Sequence, residues 1–404
     1  MSAETVATGR ALLTGRGRRR ALSGHPWIYS DDVQAVDAEP GDLVAVHAPD
    51  QGLLGWGLFS SHSRIALRLV SRAEEVPDPE FWRARARAAV EHRRSLGLCG
   101  ERDACRLIAA ESDGFPGLIV DRYADALVLQ SGCQGSDRLR DLWLACLEEA
   151  LGRPAACVLD RSDSGTRVHE DLPERVEWLR GERSEPVVVE EAARAGVPAL
   201  AYEVSLLAGH KTGHYLDQRE NRAHAAAFAR GGRVLDVFSY DGLFGLRAAL
   251  AGAEQVLCLD QSQEALERGR RNAERNGVAA RVGFERANAM HDLRERTARG
   301  ERYELVIVDP PAFARSRREV EGALRGYYEL NRRAASLVGP GGVLVSASCS
   351  HNVGRDAFVA ALAAGARDAE REARVFRLAG AGPDHPVLAS LPESEYLKCA
   401  FVRL

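Results

Sequence analysis

The stretch Val343–Asn352, VLVSASCSHN, ends an apolar run in small hydroxyl residues with one cysteine, Cys349, among them. Taken alone, Cys349 reads first as a small buried residue, with a nucleophile at the lip of a sheet as the alternative. An ordinary thiol titrates near ~8.5, so only a few per cent is thiolate at neutral pH, and a nearby cation raises that fraction. If the strand runs on briefly, Cys349 and His351 project from one face, where His351 would tune the thiol. A second candidate is Asp309 in VDPPAFARS, an acid at a strand end stiffened by Pro310 and Pro311. A rigid acidic strand end is suited to hydrogen-bonding a flat base. Phe313 is placed to stack on such a base or to pack in the core, and Arg315, Arg317 and Arg318 add positive charge.

Other strand ends carry polar residues too. After RVLDVF comes SYDGLFGLRAAL, with Asp236 inside the strand and Ser239 to Gly245 turning into a helix. Gly242 and Gly245 allow close backbone approach. The turn is neither GxGxxG nor a phosphate-binding loop followed by Lys-Ser/Thr, so a pyrophosphate cradle is poorly supported. Asp260 follows QVLCL, 24 residues beyond Asp236. That is near the spacing at which an acid takes the ribose hydroxyls of an adenosine cofactor. Ser262 is a cap for the next helix, which stops at Gly277. Asn288, after the next strand, meets an adenine edge or is a plain loop residue.

The elements that must hold these residues alternate. Strands RVLDVF, QVLCLD, RVGFERA, YELVIVD, GGVLVSAS, ARVFRL and EYLKCAFVRL are separated by helices, except for the last two. Short Val/Ile/Leu runs between helices predict a buried, mostly parallel α/β sheet, and the missing helix predicts an antiparallel final strand, as in methyltransferases rather than dehydrogenases. Ligands of such sheets bind beyond the carboxyl ends of the strands.

Two further regions precede this one, and 404 residues suit two or three domains. Residues 1–72 carry short strands (GDLVAVHA, LLGWGLFS, RIALRLVS) with the turn Pro49–Gly52 between the first two, a small barrel or sandwich. Ahead of them Arg16, Arg18, Arg19 and Arg20 form either a solvated tail or a phosphate-contacting patch, with Trp27 and Tyr29 near for stacking. Residues 73–185 read as α+β: the helix PDPEFWRARARAAVEHRRSLGL, a hairpin around Tyr123–Asp125, a helix near Asp137–Leu151 and the strand AACVLD. The third region runs from 186 to 404, after the charge-rich PERVEWLRGERSEP.

Totals narrow the class. The chain is 45% hydrophobic and 28% charged with net charge −4, so any nucleic-acid contact must come from local basic patches. No apolar run approaches the ~18 residues of a membrane span. The N-terminus lacks the pattern of a signal peptide, so the expectation is a soluble, cytoplasmic protein. Eight scattered cysteines include no CxxC pair, and Cys99, Cys105 and His92 fit no common zinc pattern, so free thiols and no metal are expected.

Taken together, KTGHYLDQRENR, LDVFSYDG, VDPPAFARS, SASCSHN and DHPVLASLPESEYLKC resemble the bacterial class I rRNA (cytosine-5) methyltransferases of the RlmI type. GHPWIYS and SDGFPGLIVDRY resemble the same family, so the likeness spans nearly the whole chain. It implies a PUA-like RNA-binding barrel, a central α+β domain and a C-terminal Rossmann-like domain that binds S-adenosyl-L-methionine. It implies that Gln218, Arg219, Asp236, Phe238, Tyr240, Asp260 and Asp309 line the cofactor and base site, and that Cys349 is the nucleophile, with Asp309 assisting; Ser239, Asp241, Gly242 and Asn288 are cofactor-binding candidates from their positions in the loop and at the strand end. The implied partner is large-subunit (23S) rRNA, free or in a ribosomal precursor; monomer and homodimer both stay open. One departure is plain: the family carries Thr-Gly-Gly after the loop tyrosine, and here Asp241, Gly242 and Leu243 stand there. Asp241 then accepts from the cofactor's ammonium or caps the helix.

Competing readings are a methyltransferase for a base nitrogen, which needs no cysteine, a nicotinamide-dependent oxidoreductase, and a non-catalytic RNA-binding protein. Ala312 in place of an aromatic residue after the prolines counts against the first, and the missing GxGxxG against the second.

Overall fold

The computed structural model describes residues 9–193, 196–314 and 316–404; Arg315 of the sequence reading lies outside them. The short alternating segments of the first region all become strands. Gly9–Leu13 (β1), Trp27–Tyr29 (β2), Val33–Asp37 (β3), Leu43–His47 (β4), Leu53–Phe59 (β5) and Ile65–Ser71 (β6) form a sheet ordered β2-β6-β5-β4-β1-β3. Ala11, Leu13, Ile28, Val44, Val46 and Leu67 fill its core. The arginine-rich segment is a helix (α1, Gly15–Leu22) rather than a free tail, because the Thr14 side chain accepts from Gly17 N and caps it. Arg16 and Arg20 pair with buried Asp32, and Arg20 lies 4.6 Å over the Tyr29 ring. Arg18 and Arg19 stay exposed.

Pro79–Ser95 (α2) starts at the Asp78 cap with proline in its first turn, where a missing N–H costs nothing. Ala104–Ala109 (β7), Leu118–Tyr123 (β8), Ala126–Ser131 (β9), Cys157–Asp160 (β10) and Glu177–Arg180 (β11) form a sheet ordered β11-β10-β9-β8-β7, with Gln134–Leu151 (α3) between β9 and β10. Trp82, Phe115 and Trp143 lie in one apolar core with Leu43, Trp56, Leu58 and Val70 of the first sheet. That shared core makes the first two regions one compact unit, which runs to Val189 and takes in Val204–Leu216 and Pro383–Ser394.

The second unit holds Glu190–Glu203, Asp217–Gly382 and Glu395–Leu404. Val187–Glu191 (β12) and Leu200–Val204 (β13) form a two-stranded sheet, followed by helix Arg219–Ala226 (α4). Then strand and helix alternate: Arg233–Val237 (β14), Leu243–Leu250 (α5), Gln255–Asp260 (β15), Gln263–Arg275 (α6), Val282–Arg286 (β16), Ala289–Ala298 (α7), Tyr303–Val308 (β17), Val320–Leu337 (α8), Val338–Ser348 (β18) and Arg355–Asp368 (α9). Arg374–Ala379 (β19) and Lys398–Arg403 (β20) complete a seven-stranded sheet ordered β16-β15-β14-β17-β18-β20-β19. Neighbours among β14 to β18 run parallel, and β20 runs antiparallel to both β18 and β19, as the missing helix predicts. The order reverses at β14, between β15 and β17, so the crevice opens beyond Val237 and Val308. Among the described residues no helix is long and apolar enough to cross a membrane.

Candidate functional site

The turn leaving β14 runs through left-handed backbone at Phe238 (φ 60°), Tyr240 (φ 55°) and Gly242 (φ 77°). Two of these are not glycine, a strain of order 1–3 kcal/mol per residue that only surrounding contacts can hold. Those contacts are on hand. Ser239 N donates to Leu259 O (2.9 Å), Tyr240 N to Asp260 Oδ2 (2.8 Å) and Gly242 N to Ser239 O (2.8 Å). Gly245 has no room for a side chain: a Cβ would lie 2.5 Å from Cys258 Sγ and 2.9 Å from Val256 Cγ1, so α5 seats against β15.

Asp236 is 1% exposed; its Oδ2 accepts from Gly245 N at 2.9 Å, which ties β14 to α5. Burial pushes its carboxyl up to about 8, helped by the charges of Asp309, Asp260 and Asp241 and opposed by the Gly245 N–H. Asp236 Oδ1 and Ser239 Oγ are buried with no hydrogen-bond partner. Buried polar atoms are normally satisfied, so these two orphans, beside a cluster of carboxylates, fit a polar, cationic ligand end. Asp241 is 1% exposed and faces Arg268 Nε at 3.5 Å, while the Arg268 guanidinium also lies 4.9 Å over the Tyr240 ring. It does not cap α5, whose N-cap is Gly242.

Asp260 accepts from both Tyr240 N and Ser262 N (2.9 Å), which fixes its carboxylate at the carboxyl end of β15 with lone pairs left for hydroxyl donors. Ser262 caps α6 as expected. Asn288 is exposed, and its Oδ1 caps α7 by accepting from His291 N at 3.1 Å, which leaves its amide NH2 as a donor.

Asp309 follows β17, and Gln218 Nε2 donates to its Oδ2 at 3.0 Å. Asn221 donates to Gln218 Oε1 (2.6 Å) and to Gly380 O (3.0 Å), so the start of α4 holds the glutamine in place. Gln218 and Arg219 are each 3% exposed. Gln218 therefore meets the acid at the end of β17 directly.

Strand β18 stops at Ser348, so Cys349 and His351 do not alternate along a strand; they lie in the following turn, where the His351 ring stacks 5.4 Å from that of Tyr396. Cys349 is half-buried, and its Sγ lies 3.9 Å from Pro310 O, which brings the thiol next to the Asp309–Pro311 segment. A hydroxyl cluster fixes this juxtaposition. Ser350 Oγ accepts from Phe313 N (3.1 Å) and Ala314 N (3.3 Å) and bonds Tyr327 Oη (2.9 Å), which also accepts from Ser348 Oγ (2.8 Å). Phe313 packs on Tyr327, with ring centroids 4.7 Å apart, so it serves the core.

Sequence reasoning missed Ser350, Tyr327 and Lys398. Lys398 is 3% exposed, and its Nζ donates to Ser350 O (2.7 Å) and Tyr396 O (2.9 Å). Its signal was a lysine inside the otherwise apolar final strand. Burial brings its ammonium down to about 8, opposed by the nearby Cys349.

Comparisons with known proteins show the family. Residues 157–391 match the family described as S-adenosylmethionine-dependent methyltransferase, and residues 12–72 match a PUA-like domain. Ribosomal RNA large subunit methyltransferase I of Aeromonas hydrophila is 40% identical over 96% of this chain and 98% of its own length. The protein of that name from Shewanella denitrificans is 38% identical over 96% of this chain and 98% of its own length. A crystal structure of a methyltransferase complexed with SAH superposes with TM-score 0.83 at 19% identity, covering 98% of this chain and 100% of that one. A SAM-dependent methyltransferase from Streptococcus mutans does so with TM-score 0.81 at 18% identity, covering 98% and 100%.

Proposed function

The chain belongs to the family of S-adenosylmethionine-dependent methyltransferases, here with a PUA-like domain ahead of the catalytic one, and from that premise we propose that it forms 5-methylcytosine in large-subunit rRNA through a covalent adduct of Cys349. The observation that carries the reading is the thiol beside a strand-end acid: Cys349 Sγ lies 3.9 Å from Pro310 O, next to Asp309, at the carboxyl ends of adjacent parallel strands. The relatives' printed name supplies the RNA class.

Bound S-adenosylmethionine supplies an electrophilic methyl group; Asp260 would hold its ribose hydroxyls, and the orphaned Asp236 and Ser239 atoms its polar end. Cytosine C5 is a weak nucleophile. The Cys349 thiolate adds to C6, forming an S–C6 bond and pushing the electron pair of the C5–C6 double bond towards C5, which becomes enamine-like. Asp309, oriented by Gln218, hydrogen-bonds the N3/N4 edge as charge shifts there. Once C5 carries the methyl group it loses its proton to a base, the S–C6 bond breaks, and the thiolate is regenerated. The target base must leave its stack to reach the crevice, at a cost of a few kcal/mol. Exposed Arg18 and Arg19 on α1 contribute to holding the RNA meanwhile.

The test is methylation of 23S rRNA lacking modification by the purified protein, with the product nucleoside identified by mass spectrometry. The expected product is 5-methylcytosine, and Cys349→Ser lowers the rate by about 10³-fold or more. An unchanged rate in Cys349→Ser, or methyl on a base nitrogen, overturns the covalent reading.

A further inference from the structure

Lys398 is a feature of this site that cofactor and base binding leave unexplained. It stands in β20 between Leu397 (2% exposed) and Cys399 (0%), and it pairs in register with Ser348, the residue before Cys349. A charge buried this deeply is costly unless it is paired. Yet Nζ meets only the carbonyl oxygens of Ser350 and Tyr396, and among the described residues no carboxylate lies within 4 Å of it. Ser350 is the residue after Cys349, so register and hydrogen bond together fix the ammonium to both flanks of the cysteine.

Among the described residues, several other polar and titratable groups near Cys349 are engaged elsewhere. Asp309 accepts from Gln218 on one side, and the Tyr327 hydroxyl on α8 is shared by Ser348 and Ser350. Arg355 at the start of α9 is paired with Glu395, and His351 stacks on Tyr396. Among the described residues, Lys398 is a buried cation held beside the Cys349 turn, where it can compensate a negative sulfur.

We propose that Lys398 is a positioning residue that keeps Cys349 ionised: its ammonium, held on the Ser350 carbonyl, supplies the positive charge that stabilises the thiolate. This rests on the reading of Cys349 as nucleophile, but it concerns only where the thiol proton resides. At neutral pH an ammonium titrating near about 8 is mostly charged, so it is in place before the thiol ionises. The charge that burial penalises in the free lysine is offset when sulfur becomes anionic, and each group favours the ionised form of the other.

The test needs neither RNA nor cofactor. The full-length protein is alkylated with iodoacetamide from pH 5.5 to 9.5, and modification of Cys349 is followed by peptide mass mapping, which separates it from the other cysteines. Lys398→Gln keeps a donor for the Ser350 and Tyr396 carbonyls but removes the charge, and Lys398→Arg keeps the charge. In Lys398→Gln the thiol pKa rises by about one unit and alkylation at pH 7 slows about ten-fold, whereas Lys398→Arg stays near wild type. Circular dichroism establishes that both variants are folded. An unchanged Cys349 pKa in folded Lys398→Gln overturns the proposal; so does a rise of the same size in Lys398→Arg. If instead Cys349→Ser still methylates RNA, the covalent reading falls, while the shift in thiol pKa is judged by its own measurement.

Discussion

Replacing Asp236 by asparagine tests the electrostatics of the crevice in the free protein. The native carboxyl, 1% exposed and pushed up to about 8, holds its proton at neutral pH, whereas in the unfolded chain it titrates near ~3.9. Because the folded pKa is the raised one, the bound proton favours the native state fully below pH ~4, and that advantage is lost as pH rises towards 8. Across that window the loss is about 1.4 kcal/mol per pH unit, so about 2.7 kcal/mol between pH 5 and 7 and roughly 5.6 kcal/mol in total. Asparagine keeps the size and the acceptor for Gly245 N but cannot ionise. The stability of Asp236→Asn minus that of wild type should therefore climb by about 1.4 kcal/mol per unit from pH 5 to 7 and level off above pH 8. Urea unfolding followed by circular dichroism measures it. Parallel pH curves for the two proteins would refute the buried, protonated carboxyl.

Two other substitutions probe the frame. Ser350→Ala leaves the Phe313 and Ala314 N–H groups without their acceptor, and we expect a loss of about 1–3 kcal/mol in urea unfolding. Its kcat should fall about 10²-fold as the Asp309 loop drifts from Cys349, and an unchanged kcat would show that the hydroxyl cluster does not position the site. Arg18→Glu with Arg19→Glu should weaken RNA binding and reduce the slope of log affinity against log salt by about 1–2, with cofactor affinity untouched; a salt slope equal to wild type removes α1 from the RNA contact.

Much of this site was legible because a parallel sheet delivers its ligand-binding groups at strand ends, and strand ends can be read from short apolar runs. Asp260, Asp309 and Cys349 were placed at the carboxyl ends of their strands that way, and the antiparallel β20 followed from a missing helix. What could not be read is what depends on register between distant segments. Lys398 meets the Cys349 turn only because β20 inserts between β18 and β19, opposite Ser348. Tyr327 joins Ser348 and Ser350 only because α8 packs over the same strands. The helical state of the arginine segment turned on one hydroxyl, that of Thr14.

That division has a physical reason. Groups that touch ligand must sit where the backbone ends, so local sequence marks them. Groups that tune those first ones act through a carbonyl or a hydroxyl one layer back, and any segment packed there can supply them. A buried lysine in an apolar strand is the exception that sequence does flag, because transferring an ammonium into a sheet without a carboxylate partner costs several kcal/mol. Such a residue is stable only when something nearby takes up its charge, and here Cys349 is the first of the groups that favour the ammonium, ahead of Glu395.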